Sequence, residues 1–339
     1  MKVGVVETPG VLKLVEREIP KIKNANDVLV KVKRVGICGS DIHIFHGKNP
    51  FAVYPRVWGH EFVGEVVETG TAVKSVKKGD HVVVEPIISC GECYACRQGR
   101  GNVCLNLKVF GVHIDGGCAE YVVVPEANAH ILPADLPWDE AALIEPFTIG
   151  AQACYRGNVQ KGDYVLVMGA GTIGLTVAAM AKLYGAIVIV SDLIDDKLAY
   201  AKSRGADYTI NSGKENIFDR VNEITGGMGA NVTVDAVCVK KTFEDAILLT
   251  SVAGRVVELS FSETPSEIAP VNIIKKEISV HGSRLQTKRF PVVIDFVKSG
   301  KLPLGGFVSK VYPISQMAEA FDYTEKNNAS VRKVLISFD

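Results

Sequence analysis

Between residues 28 and 35 apolar and basic positions alternate, with Val28, Val30 and Val32 set against Lys31 and Lys33. A period of two predicts a strand buried on one face, ending at Gly36. Strand-like pieces recur at 62–68, 81–85 and 121–124, separated by turn clusters such as Lys78-Gly79-Asp80 and Asp115-Gly116-Gly117, so the N-terminal region reads as mostly β. Near residue 150 the pattern changes. Tyr164–Met168 is a continuous apolar run, followed by a glycine-rich turn, a helix-like stretch to Tyr184 and a second buried strand at 187–190. That is a βαβ unit. Apolar runs at 232–237, 255–259 and 278–281, alternating with helical stretches such as 242–250, extend it into a doubly wound parallel sheet. After about residue 288 come a helix-like stretch at 292–298, a loop with Pro303 and Gly305-Gly306, and a terminal strand at 333–338. There is no internal repeat and no low-complexity segment.

The chain has 339 residues, a length that suggests two domains, and 47% apolar against 22% charged content is ordinary for a globular protein. Lys+Arg and Asp+Glu are both 38. A zero net charge provides no global positive field, which disfavours nucleic acid and anionic membrane surfaces as partners. No apolar run approaches the length of about 18 residues needed to span a bilayer, and the N-terminus meets a charge too early for a signal peptide, so a cytoplasmic address is expected.

Eight cysteines are too few for a disulfide scaffold in a chain of this length, but four of them cluster as Cys90-x2-Cys93-x2-Cys96-x7-Cys104. Four thiolates in one loop suffice to close a tetrahedral zinc shell with no open position, which is a structural site. An iron–sulfur cluster and a set of inert thiols are the alternatives. Cys154 and Cys238 read as small buried hydrophobes.

Gly169-x-Gly171-x-x-Gly174 follows an apolar strand and opens a helix, the context that makes it a dinucleotide fingerprint rather than a bare turn. Its glycines let the backbone approach a pyrophosphate whose charge sits at the helix N-terminus. Thr172 and Ile173 lie inside the fingerprint. Asp192, 18 residues beyond Gly174 at the end of the second strand, can accept hydrogen bonds from both ribose hydroxyls, which favours NAD over NADP. Lys197, five residues further on, is the last candidate cofactor contact.

A third constellation is dispersed: Cys38-Gly39-Ser40-Asp41-Ile42-His43, Gly59-His60-Glu61, and Glu145-Pro146 just before the βαβ unit. A thiolate, an imidazole and one or two carboxylates would make an open zinc site with room for a substrate oxygen. Spacing alone leaves each of them equally readable as core or surface. His46, His81, His113, His130 and His281 lack ligand spacing and read as hydrogen-bonded structural residues.

Together, Gly36-Ile37-Cys38-Gly39-Ser40-Asp41, Gly59-His60-Glu61, the four-cysteine lobe, Asp115-Gly116-Gly117 and the glycine fingerprint resemble the zinc-dependent medium-chain alcohol dehydrogenases over nearly the whole chain. The resemblance is to the polyol and sugar-acid branch, nearest the bacterial starvation-sensing-type, L-gulonate-oxidising dehydrogenases. It is carried by Asn49-Pro50-Phe51-Ala52, Tyr54-Pro55-Arg56-Val57, Ile144-Glu145-Pro146-Phe147-Thr148-Ile149, Ser283-Arg284-Leu285 and Phe290-Pro291-Val292-Val293-Ile294-Asp295.

The resemblance implies an α/β protein with a GroES-like, mostly-β catalytic domain over residues 1–148 and 286–339 and a zinc lobe at 88–106. It also implies a Rossmann NAD-binding domain over 149–285, two zinc ions per chain, and a homodimer or homotetramer. Cys38 and His60 would bind catalytic zinc, with Glu145 at the third ligand position and Glu61 able to swing onto the metal; which carboxylate is bound at rest stays open. Ser40 and His43 match the family's proton relay. One departure is Cys118, where an aromatic is usual after Asp-Gly-Gly, and altered packing is the expected consequence.

The implied reaction passes hydride between NAD and a secondary hydroxyl of a sugar acid or polyol, with zinc as Lewis acid. A carboxylate on the substrate needs a cation, for which Arg56 and Arg284 are candidates because arginine offers a bidentate fork, although either could equally serve a structural ion pair. The rival readings are a non-catalytic NAD- or metabolite-sensing protein on the same scaffold, a threonine or simple-alcohol dehydrogenase, and a zinc-free quinone reductase.

Overall fold

The computed structural model describes residues 1–339. By its internal contacts the chain falls into two compact units, Met1–Glu145 with Ile294–Asp339, and Pro146–Val293. The family resemblance implies breaks at 148/149 and 285/286 instead. The helix Ile144–Arg156 runs through the first break and Phe290–Lys298 through the second, so no turn signal marks either. Residues just past 286 stay with the second unit, where the Thr287 amide donates to Gln152 Oε1 at 3.3 Å.

The second unit is a six-stranded, wholly parallel sheet in the spatial order Tyr208–Asn211, Ile187–Asp192, Tyr164–Met168, Ala230–Asp235, Thr250–Glu258, Ser279–Gly282. Its central strands are apolar without alternation because both faces are covered. On one face Leu166, Met168, Ile189, Ile210 and Val256 pack with Val221 and with Ala246, Ile247 and Leu249 of the helix Lys240–Leu249. Sequence order reverses between Tyr164–Met168 and Ala230–Asp235, and the crevice at the carboxyl ends of strands beside such a reversal is where open α/β sheets bind ligands. The strand Tyr208–Asn211 is not visible in the hydrophobic pattern, since it is four residues long and only Ile210 and Asn211 are buried.

The first unit is built around the long strand Asp27–Ile37. It pairs antiparallel with Glu61–Thr69, Tyr121–Pro125 and Lys333–Ser337. The alternation holds for Val28, Val30 and Val32, all fully buried, and breaks at a register shift between Val32 and Arg34, after which Val35 is buried and the strand continues past Gly36 to Ile37. That extension matters for the site, because it sets Gly36 opposite Glu61 on one side and Ile37 opposite Val334 on the other. The cysteine cluster lies in a loop with little regular structure, only the helical turns Tyr94–Arg97 and Gly101–Val103. No helix in the chain is long and apolar enough to cross a membrane.

Candidate active site and metal centres

In the loop, the Sγ atoms of Cys90, Cys93, Cys96 and Cys104 all lie within 4.8 Å of one another. Four of the sulfur–sulfur separations are 3.4, 3.5, 3.9 and 3.9 Å. A tetrahedron with Zn–S bonds of about 2.3 Å has edges of about 3.8 Å, so the four sulfurs already stand at the corners a single zinc ion requires. They are far too distant for disulfides. A multi-iron cluster would spread the four thiolates over two or four irons and hold those on different irons further apart. The amides of Cys90 and Asn106 both donate to Cys104 Sγ at 3.3 Å. Amide donors likewise pull the Cys93 thiol down to about 6, whereas desolvation, with the neighbouring thiols, pushes Cys96 up to about 11.

The dispersed constellation also comes together. A cysteine sulfur from Cys38, an imidazole nitrogen from His60 and a carboxylate oxygen from Glu61 lie within 4.8 Å of one another. Cys38 caps the short helix Gly39–Phe45, while Glu61 begins the strand paired to Asp27–Ile37 and His60 immediately precedes it. Gly36 is obligatory here: a Cβ added to it would lie 2.2 Å from Glu61 Oε2, so any side chain would displace the carboxylate.

Asp41, which spacing singles out for no role, ties these pieces together. It is fully buried; its Oδ2 accepts from the Cys38 amide at 2.8 Å, and its Oδ1 accepts from the Gly59 amide at 3.3 Å. The same Oδ1 stands 3.5 Å from His60 Nδ1, which is buried without a hydrogen bond. A carboxylate behind one imidazole nitrogen orients the ring so that the other nitrogen faces the site, the usual outer support of a metal-ligating histidine. Burial pushes the His60 imidazole down, but the Asp41 carboxylate and the Cys38 thiol outweigh it and hold the group well above its ordinary value.

Glu145 is in the first turn of the helix Ile144–Arg156 and is 2% exposed. Its carboxyl is pushed up to about 8, first by burial, with His60 and Lys333 acting to lower it and Glu61 and Asp41 to raise it. Glu145 thus shares one electrostatic neighbourhood with His60 and Glu61, but only Glu61 joins Cys38 and His60 within 4.8 Å. The other unforeseen residue is Lys333. Its Nζ, buried at the start of the strand Lys333–Ser337, donates to Glu61 Oε1 at 2.7 Å, to Glu61 Oε2 at 2.6 Å and to the Ile37 carbonyl at 3.2 Å. Ser40 and His43 both lie on the helix Gly39–Phe45, the first half-buried and the second exposed.

In the second unit Gly169 has φ +98°, and a Cβ on Gly174 would fall 1.8 Å from the Gly169 carbonyl oxygen, so both must be glycine for strand and helix to meet this closely. Gly171, by contrast, has open space where a Cβ would be, and it caps the helix Thr172–Leu183 without any side-chain hydrogen bond. An uncapped N-terminus on this helix of 12 residues, beside an open glycine, fits a pyrophosphate. Asp192 ends its strand with Oδ2 accepting from the Ala170 amide at 2.7 Å and Oδ1 accepting from Leu193 and Ile194 at 2.8 and 3.0 Å. Its carboxylate is therefore fixed against the glycine turn. Lys197 lies half-buried on the helix Asp195–Ser203.

The two arginines differ. Arg56 Nη1 donates to Asp115 Oδ1 at 3.0 Å, and Asp115 also binds Arg17 and the Val57 amide. That gives Arg56 a structural partner. Arg284, half-buried, stands over the Phe261 ring at 5.7 Å. His46 is 2.7 Å from Glu325 and His130 is 2.9 Å from Glu85, while His81 stacks on Trp138. Cys118 is buried with Sγ 3.8 Å from Met317 Sδ, which also accepts from Trp58 Nε1, and so fills space beside Gly4. Cys154 is buried, whereas Cys238 is half-buried with φ +67°.

Residues 24–134 match the family model described as alcohol dehydrogenase GroES-like domain, and residues 172–299 match the one described as zinc-binding dehydrogenase. The starvation-sensing protein RspB of Escherichia coli K12 is 42% identical over 340 residues, covering 100% of this chain and 99% of that protein. L-galactonate-5-dehydrogenase of the same organism is 37% identical, again covering 100% and 99%. Among solved structures, rspB from E. coli CFT073, complexed with cofactor NADH, has a TM-score of 0.94 at 42% identity, covering 100% of this chain and 99% of its own. On the strength of these matches, taken with a parallel dinucleotide-type sheet and two clusters of metal-binding side chains, the chain belongs to the zinc-type medium-chain alcohol dehydrogenases, the NAD-dependent family that includes polyol and sugar-acid dehydrogenases.

Proposed function

We propose that this protein oxidises a secondary hydroxyl of a polyhydroxylated acid or polyol, L-gulonate-like, to a keto acid or ketose, with NAD as hydride acceptor. The observation that carries the reading is the convergence of Cys38, His60 and Glu61 within 4.8 Å, with Glu145 in the same electrostatic neighbourhood. A zinc ion held there supplies the Lewis acidity that makes an alcohol proton acidic near neutral pH, and NAD supplies the hydride acceptor. The chain's own residues do the rest. Cys38 and His60 anchor the metal, with a third carboxylate from Glu145 or Glu61; Asp41 fixes the imidazole and the backbone of both anchoring segments. The Ser40 hydroxyl relays the released proton, donating its own as it accepts the new one, to His43, exposed in the last turn of its short helix, which passes it to solvent. Gly169, Gly171 and Gly174 admit the pyrophosphate, Thr172 and Ile173 present the helix N-terminus, Asp192 reads the ribose hydroxyls, and Lys197 lines the adenosine side.

For substrate choice the reading relies on Arg284, which stands half-buried over the Phe261 ring. A bidentate fork on a substrate carboxylate is worth about 1.5–3 kcal/mol, or roughly 10- to 100-fold in binding. Arg284→Ala should therefore raise KM for the sugar acid by at least about tenfold while changing KM for the matching neutral polyol by less than about threefold. Equal losses on both substrates would remove carboxylate recognition from Arg284, and a wild-type enzyme that prefers simple primary alcohols would overturn the substrate class.

The cysteine lobe is proposed to hold a second zinc whose work is structural. Elemental analysis of gently purified protein should give two zinc ions per chain. Cys93→Ser should bring the ratio near one and lower Tm by about 4–8 °C, the shift that about 2 kcal/mol produces in units of this size. A wild-type ratio near one, or a Cys93→Ser protein with unchanged Tm, would remove the metal from the lobe.

A further inference from the structure

Glu61 has two competing partners. Its carboxylate lies within reach of the Cys38 and His60 ligand atoms, yet both of its oxygens accept from Lys333 Nζ, at 2.7 and 2.6 Å. The side chains of Lys333 and Glu61 are 3% and 1% exposed, so water does not screen the pair. The fold imposes this meeting. Glu61 is the cross-strand neighbour of Gly36, Val334 that of Ile37, and Lys333 Nζ is braced by the Ile37 carbonyl from the opposite side of the same strand. Gly36, by lacking a side chain, leaves the gap in which the carboxylate sits.

Three carboxyl groups crowd the surroundings of this pair. Asp41, Glu61 and Glu145 are all buried, and Cys38 and His60 complete the group. Buried like charges repel strongly where the local dielectric is low, and a buried charge left without its partner is costly. A dication would relieve that repulsion, as would the Lys333 ammonium. The two cations therefore compete for Glu61.

We propose that Lys333 is a positioning residue that holds Glu61 off the metal, so that Glu61 reaches the ion only when it leaves the lysine and the position it would fill stays open for substrate. This rests on the reading of Cys38 and His60 as a metal site. With Lys333 in place, Glu61 is pinned and Glu145 is the carboxylate left to complete the resting ligand set. Without it, Glu61 becomes a permanent ligand: the metal is bound more tightly, the open position is occupied, and the protein without metal is destabilised by an uncompensated acidic cluster.

The test compares wild type, Lys333→Met, Lys333→Arg and the double variant Lys333→Met with Glu61→Gln. It measures zinc release to a chromogenic chelator, the visible spectrum of the cobalt-substituted protein, and Tm with and without metal. Lys333→Met should release the more labile zinc at least tenfold more slowly and alter the cobalt spectrum. It should lower Tm more in the metal-free protein than in the loaded one. Glu61→Gln in the same background should reverse all three effects, and Lys333→Arg should stay near wild type. Zinc release and a cobalt spectrum unchanged in Lys333→Met would overturn the inference while leaving the metal site intact. A Tm drop of the same size with and without metal, with no change in release, would make Lys333 a structural residue only. If the wild type carries zinc in the cysteine lobe alone, the underlying site reading fails first, and the elemental ratio makes that failure visible before any variant is compared.

Discussion

Replacing Cys38 by serine is expected to lower turnover by roughly 10³-fold or more while leaving NADH affinity within about twofold. A Lewis acid at a reacting oxygen is worth several kcal/mol of transition-state stabilisation, and each 1.36 kcal/mol is tenfold in rate. The substitution removes the one soft, charged ligand in the cluster of Cys38, His60 and Glu61, and a serine hydroxyl does not replace a thiolate on zinc. The residues proposed to read NADH, by contrast, belong to a different compact unit, Pro146–Val293. The experiment pairs single-turnover absorbance in the NADH band with a fluorescence titration of NADH and the zinc ratio. Turnover should collapse, the ratio should fall from about two towards one, and the titration should barely change. His60→Ala should behave in the same way. A Cys38→Ser protein retaining more than about a tenth of wild-type turnover with one zinc fewer would show that the metal is not needed for the chemistry.

The contrast between Cys38 and its supports shows what a linear reading can reach. Short-range signals are local chemistry: the fingerprint from Gly169 to Gly174 stands between a strand and a helix that are themselves legible by period, and the four thiols from Cys90 to Cys104 lie in one loop. The catalytic cluster needed the resemblance, because Cys38 and His60 are brought together only when the strands Asp27–Ile37 and Glu61–Thr69 pair in register. The supports are harder still. Asp41 reads locally as an acidic residue in the first turn of a helix, a common helix-stabilising feature, and its real partners are a histidine and two amides, one of them on another segment. Lys333 opens an apolar strand, where a lysine ordinarily marks the solvated end; its partner is 272 positions away. Arg56 shows the same limit from the other side: its fork suits a ligand carboxylate, and nothing in the sequence signals that one of its nitrogens, Nη1, donates to Asp115 Oδ1. Pair identities across strands depend on register, and register is decided by packing of the whole sheet rather than by any window of sequence.

Asp192 is expected to impose a preference for NAD over NADP of roughly 100-fold or more in kcat/KM, because a carboxylate facing the 2′-phosphate juxtaposes like charges at a cost of several kcal/mol. The structure sharpens the choice of variant. Since the Asp192 carboxylate accepts from the amides of Ala170, Leu193 and Ile194, alanine would remove the charge and also leave three backbone donors without their acceptor, so any change in cofactor choice would be confounded by a loosened glycine turn. Asparagine at this position removes the charge and keeps one of the two acceptor oxygens; with that oxygen towards Leu193 and Ile194, only the Ala170 amide loses its acceptor. Asp192→Asn should therefore cut the NAD/NADP ratio by at least about tenfold, chiefly by improving NADP, with a smaller loss of Tm than Asp192→Ala, which strips the acceptor from all three amides and should weaken both cofactors. The measurement is kcat/KM for each cofactor at fixed substrate, with Tm as the control. A ratio near one in the wild type, or an unchanged ratio in Asp192→Asn, would mean that the three amides exhaust the role of this carboxylate and that it serves the turn rather than the ribose.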